Sequence, residues 1–340
     1  GMAGLRELGI KKGKWTKSRL SGAIFYSPSD RAAEFKTSPQ AWVIDRAQFD
    51  RELALSAAEA GATFYLKTKC VGLSLGKKPK FRLRGAANDV ECEIAVGADG
   101  PTSVVARALG SVHRKFIKCV QVETSLNLRP GLASIWLGRD VAPGFFAWGV
   151  NAGEFSRVGL GCTSGNPLVY LRRLLKRLGI AGKVSSFCTG LIPEFFVQSP
   201  GKGRVLLVGD AAGQVKPLTG GGVYLGLSCS KIAAESIVRA QDEGMLERVG
   251  EIYSTEVRKR VEREVKIGSI ARELFQRLSD KDLDSIVLLL KRERIRKLIV
   301  ENFDFDHHGA LLKAVVKEAP VAMREIGLKK FLKYFAVAWK

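Results

Sequence analysis

Residues 204–235 read RVLLVGDAAGQVKPLTGGGVYLGLSCSKIAAE. Four apolar residues, 205–208, run up to Gly209 and suit a short buried strand. Gly209, Asp210, two alanines and Gly213 follow, then Pro217, Thr219 and a glycine triplet, Gly220, Gly221 and Gly222. From Val223 to about residue 240 the side chains are small and apolar, which predicts a helix. A strand, a glycine-rich loop and a helix N-terminus make a cradle for an anionic or electron-rich group. Backbone N–H groups point outward there, and the helix dipole favours negative charge. Glycines let the backbone approach a flat ligand that a side chain would block. The plainer reading is a helix cap with a tight turn, but a cap needs neither Asp210 nor three glycines.

A second stretch of this kind lies about 110 residues earlier. In IAVGADGPTSVVARALG, a strand over 93–96 runs into Gly97, Ala98, Asp99 and Gly100, and a helix carrying Arg107 follows Ser103. Asp99 is placed to cap that helix or to meet a ligand. A third lies near residue 45. Asp45 is a helix N-cap candidate with Gln48 three residues on, Phe49, Leu53 and Ala57 recur at helical spacing, and Gly61 stops the helix. Arg46 sits at its start. Residues 62–66 are expected to form the next strand.

The order GDAAG, Pro217, Thr219 and glycine triplet resembles the second flavin-contacting motif of FAD-dependent oxidoreductases, most of all the geranylgeranyl reductase family. The Asp-Gly turn at Asp99 and the helix opening at Arg46 are similar to segments of the same family. The resemblance spans about residues 3–240. It implies flavin contacts at Asp210, Gly209, Gly213, Pro217, Thr219, Gly220, Gly221 and Gly222. It also implies that Arg46 lies near the FAD pyrophosphate and Asp99 and Gly100 at the dinucleotide edge. For Arg46 the alternative is a solvent-facing helix-start arginine; for Asp99 it is a structural cap.

Between these motifs the chain changes character. Residues 112–199 read as short strands at 116–124, 133–137, 145–150 and 157–162, with a basic helix over 167–178. In the family such a sheet covers the flavin and walls the substrate cavity. In PGFFAWGVN, Phe146 and Trp148 occupy the family's aromatic positions, while Val150 and Asn151 stand where Phe and Pro are usual. Phe145, Phe146 and Trp148 are therefore substrate-contact candidates for an isoprenoid chain, with ordinary sheet core as the other reading. Residues 246–340 read as helices, with Ser279 or Asp280 capping one of them. The last, from Pro320, ends KKFLKYFAVAWK, which suits docking or a membrane interface.

The expected architecture is α/β (α+β). An incomplete Rossmann-like FAD-binding domain spans 1–111 and 200–245, an antiparallel-sheet substrate domain 112–199, and a helical region 246–340. The incompleteness is specific: residues 1–60 hold no strand, GxGxxG and helix in sequence, which normally cradle the pyrophosphate. Three accounts fit: a truncated chain, a companion chain supplying the unit, or a protein that binds FAD weakly or not at all.

Composition narrows the class further. The 340 residues are 46% hydrophobic, enough for a sizeable core, and no apolar run approaches a membrane span. Six cysteines without a CxxC pair read as reduced thiols in a cytoplasmic protein, and a metal site is not expected. The net charge of +21 is broad and densest over 112–209, where 13 basic residues face 4 acidic ones. That field suits an anionic headgroup or a peripheral place on an anionic inner membrane face. Nucleic-acid binding rests on charge alone. The leading functional expectation is hydride transfer from reduced flavin to the C=C bonds of an isoprenoid lipid or pigment precursor, with NAD(P)H, ferredoxin or another reductant as donor. A flavin monooxygenase or halogenase, and a non-catalytic binding protein of the same fold, are the alternatives.

Overall fold

A computed structural model describes residues 1–180 and 182–306. The expected C-terminal helix from Pro320 and the pair His307 and His308 lie outside them. The strands are β1 (Thr16–Tyr26), β2 (Ala32–Ile44), β3 (Lys69–Ser74), β4 (Lys80–Arg84), β5 (Val90–Glu91), β6 (Ala95–Gly97), β7 (Phe116–Thr124), β8 (Ala133–Trp136), β9 (Ala147–Asn151), β10 (Ser156–Cys162), β11 (Val184–Pro193), β12 (Gly201–Lys202) and β13 (Val205–Leu207). The helices are α1 (Met2–Glu7), α2 (Arg46–Glu59), α3 (Val104–Ala108), α4 (Pro167–Arg177), α5 (Val223–Asp242), α6 (Val249–Arg277), α7 (Asp280–Leu290) and α8 (Glu293–Asn302).

Two compact units form. Gly1–Phe49, Ile117–Leu191 and the described residues from Ile267 make the first, and Asp50–Phe116 with Ile192–Lys266 make the second. This division differs from the domain ranges expected above, because residues 16–44 join the large sheet. That sheet has the order β11-β7-β10-β9-β8-β1-β2. β1 and β2 form a long antiparallel hairpin, and β1 runs parallel to β8 through Ala23↔Ala133 to Tyr26↔Trp136. The hairpin is continuous, with register shifts at Thr16/Ser18 and Leu20/Gly22.

One face of the sheet is packed by α4. Asn166 caps that helix, accepting from the Leu168 N–H at 3.0 Å, and Pro167 opens it. Leu171, Leu174 and Leu175 then bury against Val120, Val122, Ala147, Val158 and Leu160. A second cluster in this unit joins Ala33, Phe35 and Leu137 to Leu283 and Val287 of α7. Ser279 starts α7 with a reciprocal cap on Asp282.

The second unit is built around β13. β13 runs parallel to β6 (Leu207↔Gly97) and antiparallel to β12. Both faces of β13 are covered, as its unbroken apolar run requires. Leu206 packs with Leu225, Cys229 and Ile232 of α5 and with Tyr253 and Val257 of α6. Val205 and Leu207 pack with Ala95, Val105 and Ala106. A separate antiparallel sheet, β3-β4-β5, has its hairpin turn at the lysine-rich 77–80 segment.

Two expectations need correction here. Residues 62–66 are not a strand: they find no ladder partner among the described residues, and Tyr65 and Leu66 are exposed. The strand expected over 93–96 is shorter, β6 at Ala95–Gly97, and β5 just before it belongs to a different sheet.

Candidate functional site

The site is set by the carboxyl ends of two parallel neighbours, β6 and β13. In open α/β sheets this is where ligands bind. Leu207 lies opposite Gly97, and the Val208 N–H donates to the Gly97 carbonyl at 2.9 Å. The Asp99 turn and the Asp210 turn therefore leave the sheet side by side. Gly100 and Gly209 both take left-handed backbone (φ +80° and +66°), and a Cβ on either would meet nothing within 4 Å. The backbone is open to a ligand at both turns.

Beyond Gly209 the chain makes a single 3-10 turn, Gly209–Ala212, and closes at Gly213 with φ +66°. A Cβ at Gly213 would lie 2.0 Å from the Phe195 carbonyl oxygen. The turn is buttressed by Val197, whose N–H donates to the Ala212 carbonyl at 2.9 Å, and by His113, whose Nε2 is 3.2 Å from the Ala211 carbonyl. Residues 216–221 fold back on themselves: the Lys216 N–H donates to the Gly221 carbonyl and the Gly220 N–H to the Lys216 carbonyl. The glycine triplet brings these pieces together. A Cβ at Gly222 would sit 3.0 Å from Asp210 Oδ1, and one at Gly221 would sit 3.1 Å from Lys216 Cε.

Two features of this loop suit an electron-rich group. α5 begins at Val223, and the residue before it, Gly222, has no side chain with which to cap the helix. Thr219 Oγ1 is buried without a hydrogen-bond partner. With the open glycines at Gly100 and Gly209, they leave room and polar groups for such a ligand.

Asp99 is committed differently. Its carboxylate accepts from the Ser103 hydroxyl and from the Val104 N–H at 2.7 Å, so it organises the start of α3, while Ser103 caps Ala106 at 2.8 Å. The capping role is thus present in full. Arg46 is the exposed first residue of α2, in the first unit. Asp45 caps that helix through the Gln48 N–H at 3.1 Å, as expected. Pro217 is half-buried within the loop.

Phe145, Phe146 and Trp148 share the first unit. Trp148, Gly159 and Gln121 lie directly across from one another on adjacent strands, on the sheet face opposite α4. Trp148 Nε1 donates to Gln121 Oε1 at 3.1 Å. The two glycines of β10 make room for this face: a Cβ at Gly159 would be 2.7 Å from the Trp148 ring, and one at Gly161 2.6 Å from Phe145. Phe145 and Phe146 stack at 4.2 Å, and the Arg272 guanidinium lies 4.7 Å over Phe145. Phe145 is fully buried, so Phe146 and Trp148 carry the accessible part of the patch.

Some residues that shape the loop escaped the sequence reading. Gln214 is wholly buried: its side chain accepts from the Gly209 N–H at 2.7 Å and donates to Tyr253 Oη at 2.9 Å. Tyr253 in turn donates to the Leu207 carbonyl at 3.0 Å, and burial pushes its hydroxyl above the usual phenol range. Lys216 is a nearly buried lysine inside the glycine loop. Among the described residues no group of three or more His, Cys, Asp or Glu could hold a metal, and no helix is long and apolar enough to cross a membrane.

Solved structures share this architecture. A geranylgeranyl bacteriochlorophyll reductase-like protein from Thermoplasma acidophilum aligns with a TM-score of 0.81 over 96% of this chain and 87% of its own, at 24% identity. The flavin-dependent halogenase CmlS aligns with a TM-score of 0.62 over 88% of this chain and 65% of its own, at 18% identity. The fold is that of the FAD-binding flavoproteins. No protein-family profile matches the chain. Sequence carries the assignment further, because digeranylgeranylglycerophospholipid reductase 2 of Methanothermobacter thermautotrophicus is 31% identical over 297 residues, 82% of this chain and 76% of that one. The chain belongs to the geranylgeranyl reductase family of flavin-dependent oxidoreductases.

Proposed function

We propose that this protein holds FAD at the carboxyl ends of β6 and β13 and reduces C=C bonds in the isoprenoid chain of a geranylgeranyl lipid or pigment precursor. The observation that carries this reading is the paired turn at Asp99 and Asp210, with the glycine triplet leading into the N-terminus of α5. When bound, FAD supplies the hydride. The protein's part is to bind, orient and shield. Asp210 and the glycines of 209–222 hold the ribityl and ring end. The amides at the start of α5 stabilise negative charge that develops on the electron-rich ring edge. Phe146 and Trp148 give the apolar chain a surface, and the excess of basic residues over 112–209 attracts an anionic headgroup or an anionic membrane face. The family resemblance assigns Arg46 to the FAD pyrophosphate. NAD(P)H or ferredoxin serves as reductant.

The test is the visible absorption spectrum of the purified chain after FAD is added and the excess removed. A retained flavin band supports the reading, and its absence at high FAD overturns it for this chain. Similarity to a flavin-dependent halogenase keeps a second reading in play. Oxygen consumption in step with a hydroxylated or halogenated product would favour it over isoprenoid reduction.

A further inference from the structure

We propose that Gln214 and Tyr253 act as one positioning unit that holds the Asp210 turn in the shape that receives flavin. The inference rests on the flavin reading above and adds to it two residues that lie outside its contact set.

The turn needs such a device. Between Gly209 and Gly213 the side chains are Asp210 and two buried alanines, so packing and hydrogen bonds hold the far end of the turn while Gly209 itself has no side chain to pack. Glycine is the residue with most freedom to lose, and Gly209 stands in the left-handed region with open space on its Cβ side. Its conformation is held by hydrogen bonds at both ends of the residue, and Gln214 takes part at each end, the Gly213 N–H sharing the carbonyl. The Gly209 N–H donates to Gln214 Oε1 at 2.7 Å, and the Gln214 N–H donates to the Gly209 carbonyl at 3.0 Å.

The orientation of the Gln214 amide follows from its partners. A backbone N–H can only donate, so Oε1 faces Gly209 and Nε2 faces Tyr253. The Tyr253 hydroxyl accepts from Nε2 at 2.9 Å, and its own proton goes to the Leu207 carbonyl at 3.0 Å. The chain of bonds starts at the first residue of the turn, passes through α6 and returns to the last residue of β13. Each of its side-chain atoms is satisfied, and Gln214 and Tyr253 are both fully buried. A buried network of this kind gains from low local polarity when complete and is costly when broken. Tyr253 offers a donor and an acceptor in line between β13 and the turn. Asp210 follows Gly209 directly, so its direction is set by this circuit.

The test uses Tyr253→Phe, Gln214→Met and the double variant in the full chain. Amide exchange over 208–215 is measured without ligand, FAD affinity by titration, and folding by thermal melting. Each single variant is expected to speed exchange in this turn and to weaken FAD binding, each on the order of tenfold, in line with one broken buried hydrogen bond. The double variant is expected to be no worse than the poorer single, because the two side chains form one unit. Unchanged exchange in 208–215 overturns the proposal whatever FAD does. So do an altered turn with unchanged FAD affinity, and single effects that multiply in the double. If Tyr253→Phe fails to fold, Gln214→Met, close to glutamine in shape, decides by the same readouts. Failure of the unaltered chain to bind FAD overturns the flavin reading and the ligand half of this inference, and the exchange measurement still decides the loop half.

Discussion

Asp210 Oδ1 occupies the space that a side chain at Gly222 would need: a methyl group there would stand 3.0 Å from it. The two ends of the glycine loop are therefore pressed together, and the carboxylate is held at the start of α5 by an absent side chain. The backbone at Gly222 (φ −95°) is ordinary, so alanine is tolerated conformationally. Gly222→Ala is expected to weaken FAD binding about tenfold by displacing the Asp210 carboxylate, while the helix cap loses only a few tenths of a kcal/mol to about 1 kcal/mol. Titration with FAD beside a melting curve checks both halves; equal affinity would show that the carboxylate is not a flavin contact.

Gly213→Ala should behave in the opposite way. Its φ of +66° disfavours any side chain, and the new Cβ would meet the Phe195 carbonyl oxygen at 2.0 Å. Loss of at least about 2 kcal/mol of folding stability is expected from strain and displacement together. Urea unfolding of the ligand-free chain measures it.

Trp148 tests the substrate surface apart from the flavin. Trp148→Ala is expected to raise KM for an isoprenoid substrate roughly tenfold through lost apolar contact, with a smaller change in kcat. Retention of FAD should not change. A variant that loses FAD along with substrate would mean that Trp148 supports the fold rather than the chain-binding face.

Burial leaves a signature at high pH. It pushes the Cys229 thiol from an ordinary 9.0 up to about 12, and the Cys119 thiol likewise to about 12. The unfolded chain gives up these protons first, so the stability they contribute is complete below pH 9 and is lost as pH rises toward 12. Each contributes a slope of up to about 1.4 kcal/mol per pH unit in that window. Urea midpoints between pH 8 and 11 should fall less steeply for Cys229→Ala than for the unaltered protein. Identical slopes would mean that the thiol titrates alike in the folded and the unfolded chain.

What could be read from sequence follows from how local each signal is. β7 falls at 116–124 as expected, because its alternation is complete within nine residues. The Ser279 cap and the strand-loop-helix at 205–242 also carry their whole signal in one stretch. The hairpin of β1 and β2 was harder. Its place in the large sheet depends on parallel pairing with β8, about 110 residues away, which leaves no local trace. Residues 62–66 have strand-like composition, yet composition cannot show whether an edge is available to pair with. At the site, Asp210 and the glycines were legible as a motif. Gln214 and Tyr253 were not, because 39 residues separate them and each reads alone as an ordinary polar or aromatic position.

The clustering of Ala33 and Phe35 with Leu283 and Val287 also governs how the protein is made. The hairpin leaves the ribosome before α7, so part of its apolar face stays uncovered until α7 has been synthesised. During that interval a growing chain displays sticky strand surface, which exposes it to aggregation and to chaperone capture. Closure across so long a stretch is also intrinsically slow. The first unit therefore completes its folding only once α7 is made, and a chain cut short before residue 283 would leave that face of the hairpin partly uncovered.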